Sequence, residues 1–351
     1  MFSKALLDRP IAKVPKALER IAIAKERIQL ILDRETVAHE KTLEQKIADQ
    51  GPAGRRVDPH LISQAIFDLR ELRRLALHHH PATGDKPWYS NLATSGEAVQ
   101  ARLAELAPLY DTISNVLSNV IGDALEVATF QALSTTSIAS PRYHFDGHYF
   151  LDKPKKGGRF QQRKCANNIR EKTTTKQPDF FLFGHDSGPL CIECKNYREW
   201  LYPQKTYIKH HILRCYELDV VPLFVVRRIH YSTITNFFEP AGIIAHESYH
   251  QYFPSDQHEI AERARFKGSL GFTDIMATEE PHKRTMHFFS ELLPRVAAPM
   301  AKKWFLHRQA LVDYANDEIN LAQLYTAIGS RAGGKWVEQP EEPEPENPYD
   351  E

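Results

Sequence analysis

Two short apolar segments joined by a turn lie in the middle of this 351-residue chain, and they constrain its fold more than any other feature. The segments cover residues 179–183 and 190–195. The connection between them, residues 184–189, is rich in glycine, aspartate, serine and proline, which favour turns. The pattern predicts an antiparallel β-hairpin.

This hairpin places three polar side chains at one end of its strands. Side chains alternate across a strand, so Glu193 and Lys195 share one face, and Asp179 opens the partner strand near them. Carboxylates are hard ligands suited to Mg²⁺ or Mn²⁺, and the backbone carbonyl of Cys194 offers a further oxygen. A cation held there activates water against a phosphoryl group, and Lys195 offsets the developing charge. The pattern therefore predicts phosphodiester hydrolysis, with Asp179, Glu193 and Lys195 as catalytic residues.

The same residues carry a resemblance to a known family. Pro178-Asp179 followed by Glu193-Cys194-Lys195 resembles the PD-(D/E)xK nuclease superfamily, which includes many restriction endonucleases. The resemblance implies an α+β or α/β fold with a restriction endonuclease-like core, in which a mixed sheet is flanked by helices. It also implies cleavage of DNA with Mg²⁺ as cofactor, for which Mn²⁺ substitutes.

The segments around the hairpin agree in order with that core. The superfamily places a helix before the hairpin, often with a glutamate that completes the metal site, and Glu126 is the candidate here. After the hairpin, residues 207–218 have helical spacing and residues 220–227 form an apolar run typical of a buried strand. Asp179, Glu193, the Cys194 carbonyl and Glu126 are thus the expected metal ligands.

Positive charge is concentrated between residues 153 and 176, which contain nine basic residues and one acidic residue. The segment has little apolar periodicity, so we expect a mobile basic loop that contacts DNA phosphates. A solvated linker, or an arm that folds against the acidic end of the chain, is the alternative. The candidate DNA-binding residues are Lys153, Lys155, Lys156, Arg159, Arg163, Lys164, Arg170, Lys172 and Lys176.

Composition divides the rest of the chain into further regions. Residues 1–95 have helically spaced apolar positions and a turn-rich hairpin near residues 78–90, which together resemble a winged helix-turn-helix DNA-binding module. Residues 96–280 are the expected nuclease domain, and residues 281–336 a helical region that prolines interrupt. Residues 337–351 contain seven acidic residues and four prolines, which predicts a disordered tail.

Composition also limits the cellular setting. Four cysteines are too few for a disulfide framework, and no apolar run is long enough to span a bilayer, so we expect a cytoplasmic protein without a membrane partner. Basic and acidic residues balance at 45 each, so net charge identifies no partner. By analogy with the superfamily, restriction or antiphage defence is the expected setting, with a homo-oligomer or other subunits of a defence complex as candidate partners.

Other functions remain open at this level. A catalytically inactive DNA-binding regulator or assembly subunit is the main alternative, and a nuclease acting on RNA is another. The spacing Cys191-x-x-Cys194 invites a zinc interpretation, but residues three apart on a strand point to opposite faces. Buried, apolar cysteines are the better interpretation there.

Overall fold

The computed structural model describes residues 15–48, 57–139, 143–155, 159–169, 171–184 and 186–330. The expected acidic tail lies outside these residues, as do Lys156 and Arg170. By their tertiary contacts the described residues form two units, residues 15–118 with 259–273 and residues 119–258 with 274–330. Each unit is described by itself below.

Helices and a small antiparallel sheet form most of the first unit. Its first elements are α1 (Pro15–Glu35), β1 (Ala38–His39), α2 (Glu40–Ala48), α3 (Pro59–Glu71), β2 (Leu75–His80), β3 (Gly84–Asn91) and α4 (Gly96–Asp111). The strand order is β1-β3-β2, and both pairings are antiparallel. The hairpin expected near residues 78–90 is therefore confirmed as β2–β3.

The predicted apolar faces of two helices build the core of this unit. Ile21, Ala24 and Ile28 of α1 are buried, as are Leu61 and Ile62 of α3. Their spacing of three and four residues places each set on one side of its helix. Apolar burial on these faces holds α1 and α3 together.

The second unit has a mixed five-stranded sheet with helices against it. Its strands are β4 (His144–Asp146), β5 (His148–Lys155), β6 (Arg159–Arg163), β7 (Asn168–Ile169), β8 (Lys172–Thr173), β9 (Phe180–Phe183), β10 (Leu190–Lys195), β11 (Val221–Val226), β12 (Ile244–Glu247), β13 (Gln251–Phe253) and β14 (Ile275–Ala277). The order in the main sheet is β12-β11-β10-β9-β4. Strands β10, β11 and β12 are parallel, whereas β9 and β4 pair antiparallel. The mixed sheet expected from the sequence is present.

The later helices follow in chain order. They are α5 (Ser118–Ala139), α6 (Thr206–Leu218), α7 (Tyr231–Thr233), α8 (Glu239–Ala241), α9 (His258–Arg265), α10 (Lys283–His287), α11 (Leu293–Ala315) and α12 (Leu321–Ala327). Interior strand β11 is buried along its whole length, as the continuous apolar run predicts. Helices α5 and α6 pack on the sheet, and none of the described helices is long and apolar enough to cross a bilayer.

The expectation of an irregular basic loop between residues 153 and 176 is wrong for the described residues. Strands β5 and β6 form an antiparallel ribbon, and β7 and β8 form a second, shorter one. Both ribbons lie outside the main sheet, so they need few apolar residues. Tyr149 and Phe160 pack against the core. Charged residues interrupt the alternation of apolar and polar residues that would otherwise have predicted these strands.

Two helix boundaries also differ from the sequence-based expectation. The helix expected over residues 113–133 begins only at Ser118, because a wide turn at Thr112–Val116 precedes it and the Leu117 N–H bonds to the Thr112 carbonyl at 2.8 Å. Helix α11 continues through the prolines that were expected to interrupt it. Pro294 occupies its first turn, where no N–H is needed.

Candidate active site

Asp179 is fixed at the carboxyl end of β10 by backbone contacts. It directly precedes β9, and its N–H donates to the Ile192 carbonyl at 3.2 Å. The Cys194 N–H in turn donates to Asp179 Oδ2 at 2.7 Å. The antiparallel pairing therefore brings Asp179 to the end of the strand that carries Glu193 and Lys195, as the sequence predicts.

The backbone around Asp179 is closely supported from behind. Gly147, between β4 and β5, has φ of +105°, and a Cβ there would lie 2.7 Å from the Asp179 carbonyl oxygen. Only glycine accommodates both this conformation and this approach. The Cys165 thiol donates to the Pro178 carbonyl at 2.9 Å. The position of the Pro178-Asp179 pair is thus set by packing as well as by strand pairing.

Glu126 on α5 is an acidic neighbour of Asp179. Its carboxylate accepts a hydrogen bond from the Tyr149 hydroxyl on β5. Burial, and then the charge of Asp179, raise the pKa of Glu126 well above its usual range. Burial, and then the charge of Glu193, raise the pKa of Asp179 to about 6. Burial and mutual repulsion thus both disfavour the ionised forms of these two carboxyl groups.

Glu193 lies in a different electrostatic environment. Its carboxylate accepts from Arg214 of α6 at 2.5 Å and from Lys195 Nζ at 2.6 Å. Burial alone would raise the pKa of Glu193, but the charges of Lys195 and Arg214 hold it at about 2. Lys195 Nζ also donates to the Cys194 carbonyl at 3.1 Å. Although burial opposes it, the charge of Glu193 raises the pKa of Lys195, which is therefore an ammonium ion at neutral pH.

Two of the three carboxylates of the site, those of Glu126 and Asp179, are suited to bind a hard cation. Glu126 and Asp179 are carboxyl groups whose ionised forms a bound cation would favour, and the Cys194 carbonyl is a third oxygen nearby. Within the described part of the chain, the carboxylates of Glu126, Asp179 and Glu193 do not all lie within 4.8 Å of one another. Glu193 is instead paired with Arg214 and Lys195, which neutralise the charge that it would offer to a metal ion.

The raised pKa of Glu126 predicts a pH-dependent effect of Glu126→Gln on stability. The folded state favours the protonated acid, so its contribution to stability is complete below the unfolded-state pKa and is lost as pH rises. The glutamine variant should melt at a higher temperature than wild type at pH 8, and the difference should shrink towards pH 5. Exposed Glu217→Gln is the control, and thermal melts at both pH values provide the measurement. A destabilised Glu126→Gln protein at pH 8 would contradict this electrostatic description.

Sequence reasoning left two residues of the site without their roles. The helical spacing of residues 207–218 does not assign Arg214 or His211 to the site, but both are buried and face Glu193. Their spacing of three residues places them on one side of α6. His210, one position away, is exposed. The three-residue spacing shows from the sequence that His211 and Arg214 share a side of the helix. It does not show that this side faces the sheet, which depends on how α6 packs.

The structure locates some of the predicted DNA-binding residues. Lys164, Lys172 and Lys176 are exposed, and Lys172 pairs with Asp219 at 3.3 Å. Arg163 pairs with Asp146 at 2.9 Å. Lys156 and Arg170 lie outside the described residues, as do the side chains of Lys153, Lys155 and Arg159. Contact with DNA thus stays a prediction. The described residues among them lie on strands and on the connections between them.

Comparison with known proteins adds no relative to this picture. No protein-family model, curated protein or solved structure gives a significant match to the chain.

Proposed function

We propose that the chain is a Mg²⁺-dependent nuclease that hydrolyses DNA phosphodiesters. The single observation that carries the proposal is the acidic pair of Glu126 and Asp179 beside the Lys195 ammonium group at the end of β10. Buried acids with raised pKa values beside a fixed cation are typical of catalytic sites. Their residue types match those expected of a hydrolytic metal centre.

The order of elements supports a restriction endonuclease-like core. Apart from the β5–β6 and β7–β8 ribbons, which lie outside the main sheet, helix α5 is followed by β4, by the β9–β10 hairpin, by α6 and by β11. Strand β10 joins the antiparallel half of the sheet to its parallel half. This order of main-sheet elements agrees with the PD-(D/E)xK resemblance, and Asp179, Glu193 and Lys195 lie at the carboxyl end of β10. Both the core assignment and the winged-helix assignment remain part of the proposal.

The side chains divide the chemistry between them. Asp179 and Glu126 would hold Mg²⁺ with the Cys194 carbonyl, and the ion would supply Lewis acidity and a hydroxide-like water. Lys195 is a cation at neutral pH, so it acts as a hydrogen-bond donor and offsets negative charge on the phosphate. Arg214 keeps Glu193 ionised and holds it beside Lys195.

The test is cleavage of several forms of DNA by the full chain, with Mg²⁺ and with a chelator. Linear duplexes, single strands, junctions and modified DNA cover the expected substrates, and RNA of matched sequence tests the alternative polymer. We expect DNA cleavage that requires Mg²⁺ or Mn²⁺. Cleavage that persists in chelator, or the absence of cleavage on every substrate, would overturn the proposal.

The first unit supports a separate DNA-binding role. Its elements α1, β1, α2, α3, β2 and β3 occur in the order of a winged helix, with β2–β3 as the wing. At the end of α3, Phe67 and Arg70 are exposed, followed by exposed Arg73 and Arg74. An exposed aromatic side chain among arginines suits contact with a nucleic acid.

Removing the α3 arginines should weaken DNA binding mainly at low salt. The variant Arg70→Ala/Arg73→Ala/Arg74→Ala should reduce the slope of log K against log salt by about 0.9 for each phosphate that these arginines neutralise in the wild type. Binding titrations at several salt concentrations provide the measurement. Exposed Arg265→Ala is the control for loss of one positive charge elsewhere. An unchanged slope in the triple variant would exclude this surface as the DNA-binding face.

One observation favours a second candidate, an inactive DNA-binding regulator or assembly subunit. Both oxygens of the Glu193 carboxylate have cationic partners within the chain. If Arg214 and Lys195 never release it, Glu193 cannot serve as the metal ligand that the PD-(D/E)xK resemblance implies. Salt-dependent DNA binding without metal-stimulated cleavage would identify this function.

A further inference from the structure

Three soft metal ligands converge behind the face of β10 that carries Glu193. Cys191 lies two residues before Glu193 on the same face of the strand, and His211 and Cys215 are one turn apart on α6. All three side chains are completely buried, with 0% exposure. One ligand atom from each lies within 4.8 Å of the other two.

The spacing of these atoms fits a tetrahedral zinc ion. Bonds of about 2.3 Å to sulfur and about 2.05 Å to nitrogen at a tetrahedral angle require sulfur and nitrogen to be about 3.6 Å apart. The Cys215 Sγ to His211 Nε2 distance is 3.7 Å. Only small side-chain movements are then needed for both groups to bind one ion.

The second ring nitrogen of His211 gives independent support. His211 Nδ1 is buried and makes no hydrogen bond, and it lies 3.9 Å from Glu193 Oε2. An unpaired buried polar atom is costly. Histidines that bind metal through one nitrogen generally donate the other N–H to a carboxylate, which fixes the ring. Binding through Nε2 would assign Nδ1–H to Glu193 in this way.

We propose that Cys191, His211 and Cys215 provide three of the four ligands of a buried Zn²⁺ ion. Two thiol protons pass to solvent as the ion binds, and two thiolates then neutralise its charge in the buried site. The ion cross-links β10 to α6 and restrains His211 against Glu193. The zinc site shares no ligand with the Mg²⁺ centre proposed above, and it does not depend on nuclease activity.

Cys191 and Cys194 have different neighbours in the structure. Cys194 lies on the opposite face of β10, where its sulfur contacts the Thr129 hydroxyl at 3.6 Å. The two cysteines therefore do not share a metal ion, as strand alternation predicts. The partners of Cys191 come instead from α6, the helix that follows β10 in the chain.

The test measures metal content of the full chain directly. Elemental analysis of protein purified without affinity metals should find about one zinc ion per chain. Cys191→Ser and Cys215→Ser should lose it, whereas the matched buried control Cys165→Ser should keep it. Asp179→Asn should also keep it, which separates this site from the nuclease proposal.

A second arm uses wild-type protein, so the result stands even if the serine variants do not fold. Zinc is removed by a strong chelator, and the melting temperature is measured with Zn²⁺ or Mg²⁺ added back. We expect Zn²⁺ to restore the melting temperature and Mg²⁺ to leave it unchanged. Purified protein without zinc, together with a chelator-treated protein that does not respond to Zn²⁺, would overturn the proposal.

Discussion

Asp179→Asn is expected to reduce Mg²⁺-dependent DNA cleavage by about 10²–10⁴-fold, since metal-ion stabilisation of the transition state contributes several kcal/mol. The asparagine side chain can still accept the hydrogen bond from the Cys194 N–H, so the hairpin should fold normally. It cannot provide the negative charge that attracts a divalent cation. Cleavage rates at saturating DNA and increasing Mg²⁺ measure the effect.

The matched control for this prediction is Asp186→Asn. Asp186 lies in the turn of the same hairpin and is exposed. The control variant should cleave DNA at the wild-type rate, because it removes a carboxylate of the same kind away from the centre. Equal loss of cleavage in both variants would indicate damage to the hairpin, and unchanged cleavage in Asp179→Asn would contradict the proposed role of Asp179.

Asp274→Ala is expected to destabilise the second unit by about 3–5 kcal/mol, the usual cost of breaking a buried ion pair at one partner. The Asp274 carboxylate accepts from Arg198 and Arg227, and Arg227 is only 2% exposed. Arg227 also donates to the backbone carbonyls of Tyr197 and Arg198. The variant would leave two guanidinium groups uncompensated and loosen the chain just after Lys195.

The same ion pairs predict how the effect of Asp274→Ala varies with pH. Burial would raise the pKa of Asp274, but Arg198 and Arg227 hold it well below its usual range. Their stabilising contribution is present at neutral pH and is lost as the pH falls through the acid range. Chemical denaturation at neutral and acid pH should show a smaller difference in acid, with exposed Asp256→Ala as the control. If Asp274→Ala leaves the free energy of unfolding unchanged at pH 7, the ion pairs of Asp274 do not stabilise the ends of these strands.

The sequence was most informative where strand period and turn residues act together. The β9–β10 hairpin and the fully apolar β11 could be predicted from local patterns, because all three strands are buried in the main sheet and are therefore rich in apolar residues. The position of Asp179 beside Cys194 follows from antiparallel pairing alone. The pairing of β5 with β6 was not predicted, because the residues after Leu151 and those of β6 are mostly charged or polar and show no apolar alternation.

The interactions of Glu193 could not be predicted in the same way. Strand alternation gives the face of Glu193 but not the side chains that meet it. Arg214 and His211 reach it from a helix that follows β10, and their direction depends on how α6 packs against the sheet. The convergence of Cys191 with Cys215 depends on the same packing.

The central claim is that Glu126 and Asp179 hold a divalent cation beside Lys195. A crystal structure of the full chain soaked with Mn²⁺, with anomalous diffraction to locate the ion, tests it most directly. We predict an anomalous peak bound by both carboxylates and the Cys194 carbonyl, and its loss in Asp179→Asn crystals soaked in the same way. Wild-type crystals with no peak between Glu126 and Asp179 at saturating Mn²⁺ would contradict the claim.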